Sequence, residues 1–246
     1  MTSAVLQRVV ARDATRRLTD RGAQPALPLR LTAEHAEDAF LIDLFDDRPT
    51  GYFIEAGALD GIRYSNTYAL EALGWTGLLV EPIPELAERC AANRPNSRVE
   101  RVALSAPGHA PTATLNRYTD DDQVGASRLD DDANRHARAK RGAATEPIDV
   151  PLATLDSLLD GVDRVDLLVL DIEGHELQAL RGFSLDCFKP RVILVEDHAL
   201  GDDDSLARYL ADHAYEHCGW IAWNRICVRQ DEPDLIGRAR ALLGTR

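Results

Sequence analysis

Several signatures that would decide a function at once are missing from these 246 residues. There is no G-x-G-x-x-G, and no glycine-rich loop ending in a Walker lysine, so neither standard nucleotide fingerprint is present. No run of about 18 apolar residues occurs, which excludes a membrane-spanning helix, and the N-terminus lacks the apolar core of a secretory signal. The four cysteines (Cys90, Cys187, Cys218, Cys227) form no C-x-x-C pair. They read as reduced, structural thiols in a cytoplasmic protein. Positive charge is also scarce: 28 Lys and Arg face 41 Asp and Glu, a net −13. That excludes non-specific nucleic-acid binding, which needs a basic surface. Two triple-aspartate clusters, Asp120 to Asp122 and Asp130 to Asp132, lack the central Gly and terminal Glu of a calcium loop and read as solvated acids. No internal repeat is found.

The stretch around which the chain is organised is YFIEAGALDG, Tyr52 to Gly61. An apolar strand runs into Glu55, a turn with Gly57 and Asp60-Gly61 follows, and a helical pattern begins near Ser65. A strand that feeds a glycine-containing turn opening onto a helix brings backbone N–H groups close to a nucleotide-like ligand. The next apolar run, Thr76 to Pro82, ends in Glu81. An acid at the end of the second strand of a βαβ unit is placed to accept hydrogen bonds from ribose hydroxyls. A plain strand–turn–helix without a ligand is the competing interpretation.

With 45% hydrophobic residues the chain can bury one sizeable core. The reading is an N-terminal helical arm over 1–30 and one domain over 31–246. The arm carries six Arg and two Asp, so the remainder holds −17. It suits a surface or homo-oligomer packing role, with a membrane-surface or anionic-ligand role as the alternative. Thr32 to Phe45 reads as a helix with Thr32 as N-cap. A helix over Glu85 to Asn93 and a strand over Arg98 to Leu104 come next. Residues 105–148 show no clear core period and carry the basic run Arg135 to Arg141. So long a connection reads as a lid or substrate-side insertion. A short strand and helix (150–160), a strand and helix over 165–183, a strand over 191–198, a helix from Asp204 to His213 and two late strands complete the domain.

The strands before Glu55, Glu81, Asp171 and Glu196 each end in a carboxylate. Alternating strands and helices imply a largely parallel sheet, whose carboxyl edge is where ligands bind. If the strands carrying Asp171 and Glu196 are neighbours, Asp171, Glu173, Glu196 and Asp197 share one small volume. Crowded like charges need protons, a cation or basic partners. A Mg²⁺ ion on Asp171, Glu196 and Asp197 is one solution, and a metal-free acid/base site is another. Helix-capping acids paired with Arg181 or Arg191 are a third. His175, four residues past Asp171, is the candidate general base, since imidazole titrates near working pH. A histidine that merely bonds to a helix N-terminus is the competing reading.

Taken together, EAGALDGIRYSNTYALEALGWTGLLVEPIPE, VDLLVLDIEGHELQALRGF and RVILVEDH resemble the FkbM family of S-adenosylmethionine-dependent methyltransferases, over about Phe40 to Val228. The resemblance implies a class I methyltransferase fold: a mostly parallel, Rossmann-like seven-stranded sheet, helices on both faces, last strand antiparallel. It implies S-adenosylmethionine as cofactor, with Glu55, Gly57 and Asp60 around its methionine end. Ser65 and Asn66 would hold the carboxylate, Glu81 the ribose, and Ala103, Leu104 and Ser105 would flank the adenine. The placement of Asp171, Glu196 and Asp197 is also similar to that in metal-dependent O-methyltransferases, although Gly174 stands where those enzymes carry a lysine. The expected activity is O-methylation of a small hydroxylated acceptor, a sugar or a glycosylated or polyketide natural product, with Mg²⁺ as the candidate metal. A nucleotide-dependent oxidoreductase and a non-catalytic, cofactor-binding regulatory protein are the alternatives.

Overall fold

The computed structural model describes residues 16, 27–45, 48, 50–120, 124–130, 144–200 and 203–245. Nearly all of the N-terminal arm, and the basic run Arg135 to Arg141, lie outside the described residues.

The chain enters through α1 (Glu37–Leu44), then β1 (Tyr52–Ala56), α2 (Tyr68–Ala72), β2 (Thr76–Val80), α3 (Pro84–Asn93) and β3 (Ser97–Glu100). Next come the short strands β4 (Ala103–Leu104), β5 (Thr112–Tyr118) and β6 (Arg128–Leu129), and the longer β7 (Thr145–Ala153). The second half holds β8 (Leu167–Leu170), α4 (Glu176–Arg181), α5 (Leu185–Phe188), β9 (Val192–Glu196) and α6 (Ser205–Asp212). A hairpin of β10 (Tyr215–Ile221) and β11 (Asn224–Arg229) is followed by α7 (Pro233–Leu243).

Seven strands form one sheet in the order β10-β11-β9-β8-β1-β2-β3. The pairs β3/β2, β2/β1, β1/β8 and β8/β9 are parallel, and β11 is inserted antiparallel beside β9. The sequence dictates this. LLVL of β8 and VILV of β9 are continuous apolar runs, fully buried as the middle strands of a two-sided parallel sheet must be. One face packs Phe53, Leu79, Leu167 and Leu194 against α1 and α7. The other packs Ile54, Leu78, Leu168 and Ile193 against Leu180, Phe183 and Leu210. The class I sheet expected from the sequence is therefore present, with its last strand antiparallel.

Local readings need correction in three places. The first helix starts at Glu37 rather than Thr32, because Ala36 adopts a left-handed φ of 69°. Thr32 is no N-cap: its N–H donates to Asp38 Oδ2 and its hydroxyl to the Ser65 carbonyl. Residues 98–104 do not make one strand, since β3 ends at Glu100 and β4 joins a second sheet. Finally, the described parts of 105–148 are not shapeless. They contribute β5 and β6 to a four-stranded sheet, β4-β7-β5-β6, that buries Leu115, Val124, Leu129 and Val150 against Leu59, Ile83 and Leu86. A period-2 signal was hard to read there because only one face of each short strand is covered.

Candidate active site

At the carboxyl edge of the large sheet, below the small one, lies a cavity of about 400 Å³. That falls within the ~300–1,000 Å³ typical of small-molecule sites. Glu55, Gly57, Asn66, Glu81, Ala103, Leu104, Asp171, His175 and Glu196 all line it. Asp60, Ser65, Ser105 and Asp197 are not among the lining residues. The sheet brings the first group together because the ends of β1, β2, β8 and β9 stand side by side.

The turn after β1 is built for close approach. Gly57 has φ 84°, and a Cβ there would come within 1.9 Å of the Asp171 carbonyl oxygen. Only glycine lets the ends of β1 and β8 meet in this way. Asp60 serves the turn itself, accepting the N–H groups of Ile62 and Arg63 at 3.0 and 2.8 Å.

Glu55 is the hub of a buried network. It accepts Ser65 Oγ at 2.8 Å, Asn66 N–H at 2.6 Å and Thr67 Oγ1 at 2.6 Å. Ser65 is thereby engaged by Glu55 and does not itself line the cavity. Behind them Arg94, fully buried, donates to Glu71 Oε2 at 2.7 Å, Ser65 Oγ at 3.0 Å, Thr67 Oγ1 at 2.9 Å and the Gly61 carbonyl at 3.0 Å. Glu71 also accepts Asn96 N–H and Ser97 Oγ. Arg94 and Glu71 were not identified from sequence, because a charged pair on adjoining helical text looks like solvated surface. Asn66 lines the cavity, and its buried Oδ1 has no hydrogen-bond partner among the described residues.

Glu81 follows β2 directly. Its two oxygens accept Leu59 N–H at 2.9 Å and Ile83 N–H at 2.8 Å. Burial pushes its carboxyl up to about 7, against the pull of those two N–H groups. Each oxygen still has accepting capacity toward the cavity. Beyond Glu81 the wall is apolar, made of Val102, Ala103, Leu104 and the small sheet's Leu115, Val124 and Leu129.

The opposite end is acidic. Burial, then repulsion from Glu196 and Glu173, pushes Asp171 well above the usual carboxylate range. Burial, then Glu173 and Glu176, raises Glu196 to about 8. A hydrogen bond between the Asp171 and Glu196 carboxyls raises Asp171 further and draws Glu196 down. Glu196 Oε1 also lies 2.9 Å from His198 Nε2. Glu176 turns back to accept Ile172 and Gly174 N–H. His175, 5% exposed, lines the cavity at the mouth of α4, and its side chain makes no cap bond to that helix.

Asp197 corrects the three-acid magnesium set. It lies in a buried ion pair with Arg225, at 2.7 and 3.1 Å, and accepts Ala199 N–H. Along a strand alternate side chains face opposite ways, so Glu196 and Asp197 cannot both enter the site. The group that does gather, with donor atoms within 4.8 Å of one another, is Glu173, Glu196 and His198. Its chemistry fits a divalent ion of the manganese or zinc type better than Mg²⁺, because one donor is an imidazole.

The sheet order, the acid after β2 and the cavity at the strand ends define a class I methyltransferase. Residues 55–217 match the Methyltransferase FkbM domain, and the chain belongs to that family. A dinucleotide oxidoreductase is thereby set aside. No curated protein matches the sequence. Among solved structures, a TehB-like SAM-dependent methyltransferase from Corynebacterium glutamicum is 11% identical, with 92% of this chain and 100% of that chain covered, at a TM-score of 0.41. A fibrillarin/Nop5p complex is 12% identical, covering 78% and 80%, also at 0.41. The family match, not these distant likenesses, carries the assignment.

Proposed function

We propose that the protein is an S-adenosylmethionine-dependent O-methyltransferase acting on a hydroxyl of a small molecule, a sugar or a glycosylated or polyketide natural product. One observation carries this: Glu81 and the Asp171–His175–Glu196 cluster line opposite ends of one continuous cavity. When bound, S-adenosylmethionine supplies a methyl carbon that the acceptor oxygen displaces from sulfur, the C–S electron pair staying on the sulfur.

The chain's own residues position, deprotonate and exclude water. Glu81 offers its remaining lone pairs to ribose hydroxyls, and the apolar wall of Leu104, Leu115 and Leu129 receives the adenine. Asn66 Oδ1 accepts a donor from the methionine end, in a loop that Glu55 and Arg94 hold rigid. His175 takes the acceptor's hydroxyl proton, and the resulting imidazolium is stabilised by neighbouring carboxylates. Asp171, held well above the usual carboxylate range by burial, hydrogen-bonds Glu196 and orients it. Where a divalent ion is present, Glu173, Glu196 and His198 would hold it, and it would polarise the acceptor oxygen. The described part of the insertion, through Leu115 and Val124 to Leu129, would form the wall over the cofactor.

The test is transfer of a ¹³C-labelled methyl from the cofactor to a panel of hydroxylated acceptors, followed by NMR of the product. An O-methyl ether, lost in His175→Ala, is expected. Methyl on nitrogen or carbon would refute the reading.

A further inference from the structure

The end of the cavity away from Glu81 is rich in carboxylate and amide oxygens, and its nitrogen donors are the rings of His35, His175, His198 and Trp223 rather than a Lys or Arg of the described residues. Asn224 opens β11 and Glu196 closes β9, and the two are directly opposed across that antiparallel pair. Opposed residues project from the same face, about 5 Å apart. Asn224 Nδ2 donates to Glu37 Oε1 at 2.9 Å. A carboxylate only accepts, so this bond fixes the amide, with Oδ1 turned the other way. Asn224 Oδ1 and Glu196 Oε2 are both buried, and among the described residues no N–H or alcohol hydroxyl reaches either atom. The two residues are only 6% and 7% exposed, and both line the cavity. Two orphaned oxygens side by side call for a ligand that brings N–H or O–H groups.

The surroundings specify its charge. Glu34 and Glu173 line the same end, and among the described residues no Lys or Arg does; the arginine among the lining residues, Arg128, belongs to the small sheet and donates toward the Tyr118 hydroxyl. Trp223, 46% exposed, borders the opening, its ring 5.9 Å from that of His35 and 6.5 Å from that of His198. A half-open indole beside carboxylates is a favourable seat for a cation.

We propose that this end receives an ammonium group carried by the acceptor, which is an amino sugar or another amine-bearing polyol. The ammonium donates to Glu196 Oε2 and Asn224 Oδ1, beside Trp223. The inference rests on the methyltransferase reading and adds the acceptor's class. Held protonated by two oxygens, the nitrogen has no lone pair to attack the methyl carbon, so the neighbouring hydroxyl oxygen is the nucleophile. Acceptors bearing phosphate or carboxylate are repelled from this end.

The experiment is a titration of the full chain, saturated with S-adenosylhomocysteine and free of metal in EDTA. Three probes are compared: methyl 2-amino-2-deoxyglucoside, methyl glucoside and methyl glucuronide. The amino sugar should bind about tenfold more tightly than the neutral one, the scale of a charge-assisted hydrogen bond. The glucuronide should bind most weakly, and the margin should shrink as salt rises. Asn224→Ala should erase most of the margin; should it fail to fold, Glu196→Gln must show the same loss. Equal binding by the three, or none by any, in protein that still binds S-adenosylhomocysteine would overturn the ammonium site and leave the methyltransferase reading standing. Failure to bind S-adenosylhomocysteine at all would count against that reading first.

Discussion

Replacing Arg94 by methionine tests the network that holds the cofactor-side loop. The guanidinium is fully buried, 2.7 Å from the carboxylate of Glu71 and 3.6 Å from that of Glu55. Methionine keeps much of the volume, so packing changes little and the effect is electrostatic. Both carboxylates keep other donors: Ser65, Asn66 and Thr67 at Glu55, Asn96 and Ser97 at Glu71. They lose the charge that justified burying them. Breaking a buried ion pair from one side costs about 3–5 kcal/mol, a large part of the ~5–15 kcal/mol that folded proteins have. At ~2–4 °C per kcal/mol for a chain of this size, the melting temperature should fall by roughly 6–20 °C. Urea unfolding of the wild type and Arg94→Met gives the number. The double variant Arg94→Met/Glu71→Leu should recover part of the loss, since no lone charge then remains at Glu71. A loss below ~1 kcal/mol in the single variant, or no recovery in the double, would refute the reasoning.

Three further outcomes are expected. Glu81→Ala should weaken S-adenosylhomocysteine binding by about 1–3 kcal/mol, as ribose hydroxyls lose their acceptor; calorimetry measures it, and unchanged affinity would remove Glu81 from the site. His175→Ala should lower kcat by roughly 10²–10⁴-fold while S-adenosylhomocysteine affinity holds, as rapid-quench and calorimetric assays will show. Stability should fall as pH rises from about 5 to 8. Glu81 and Glu176 are raised from 4.5 to about 7 and Asp38 from 3.8 to about 6, so the folded state holds protons that the unfolded chain has released. Urea midpoints at pH 5.5 and 8 test the sign, and Glu81→Gln should flatten the slope.

Much of this was legible in the sequence, for physical reasons. Apolar runs that end in acids can hardly be anything but buried parallel strands, so β1, β2, β8 and β9 and their terminal carboxylates were recoverable. The cavity residues Glu55, Gly57 and Glu81 followed from the strand–turn–helix order, and Asn66 from the family resemblance. Asp197 did not follow, because which of two adjacent acids enters a site depends on strand parity and on a partner, Arg225, distant in the chain. Asn224 gives no local signal; its meaning comes from register against Glu196 and a bond to Glu37. Arg94 is hidden for the same reason, since burial of a charge shows only once its long-range partners are assembled.

The central claim, that the cavity is built for S-adenosylmethionine, is tested most directly by calorimetric titration of the purified chain with S-adenosylhomocysteine and, separately, with NAD⁺. Saturable heat from S-adenosylhomocysteine and none from NAD⁺ is the result predicted. Heat from NAD⁺ with none from S-adenosylhomocysteine would contradict it.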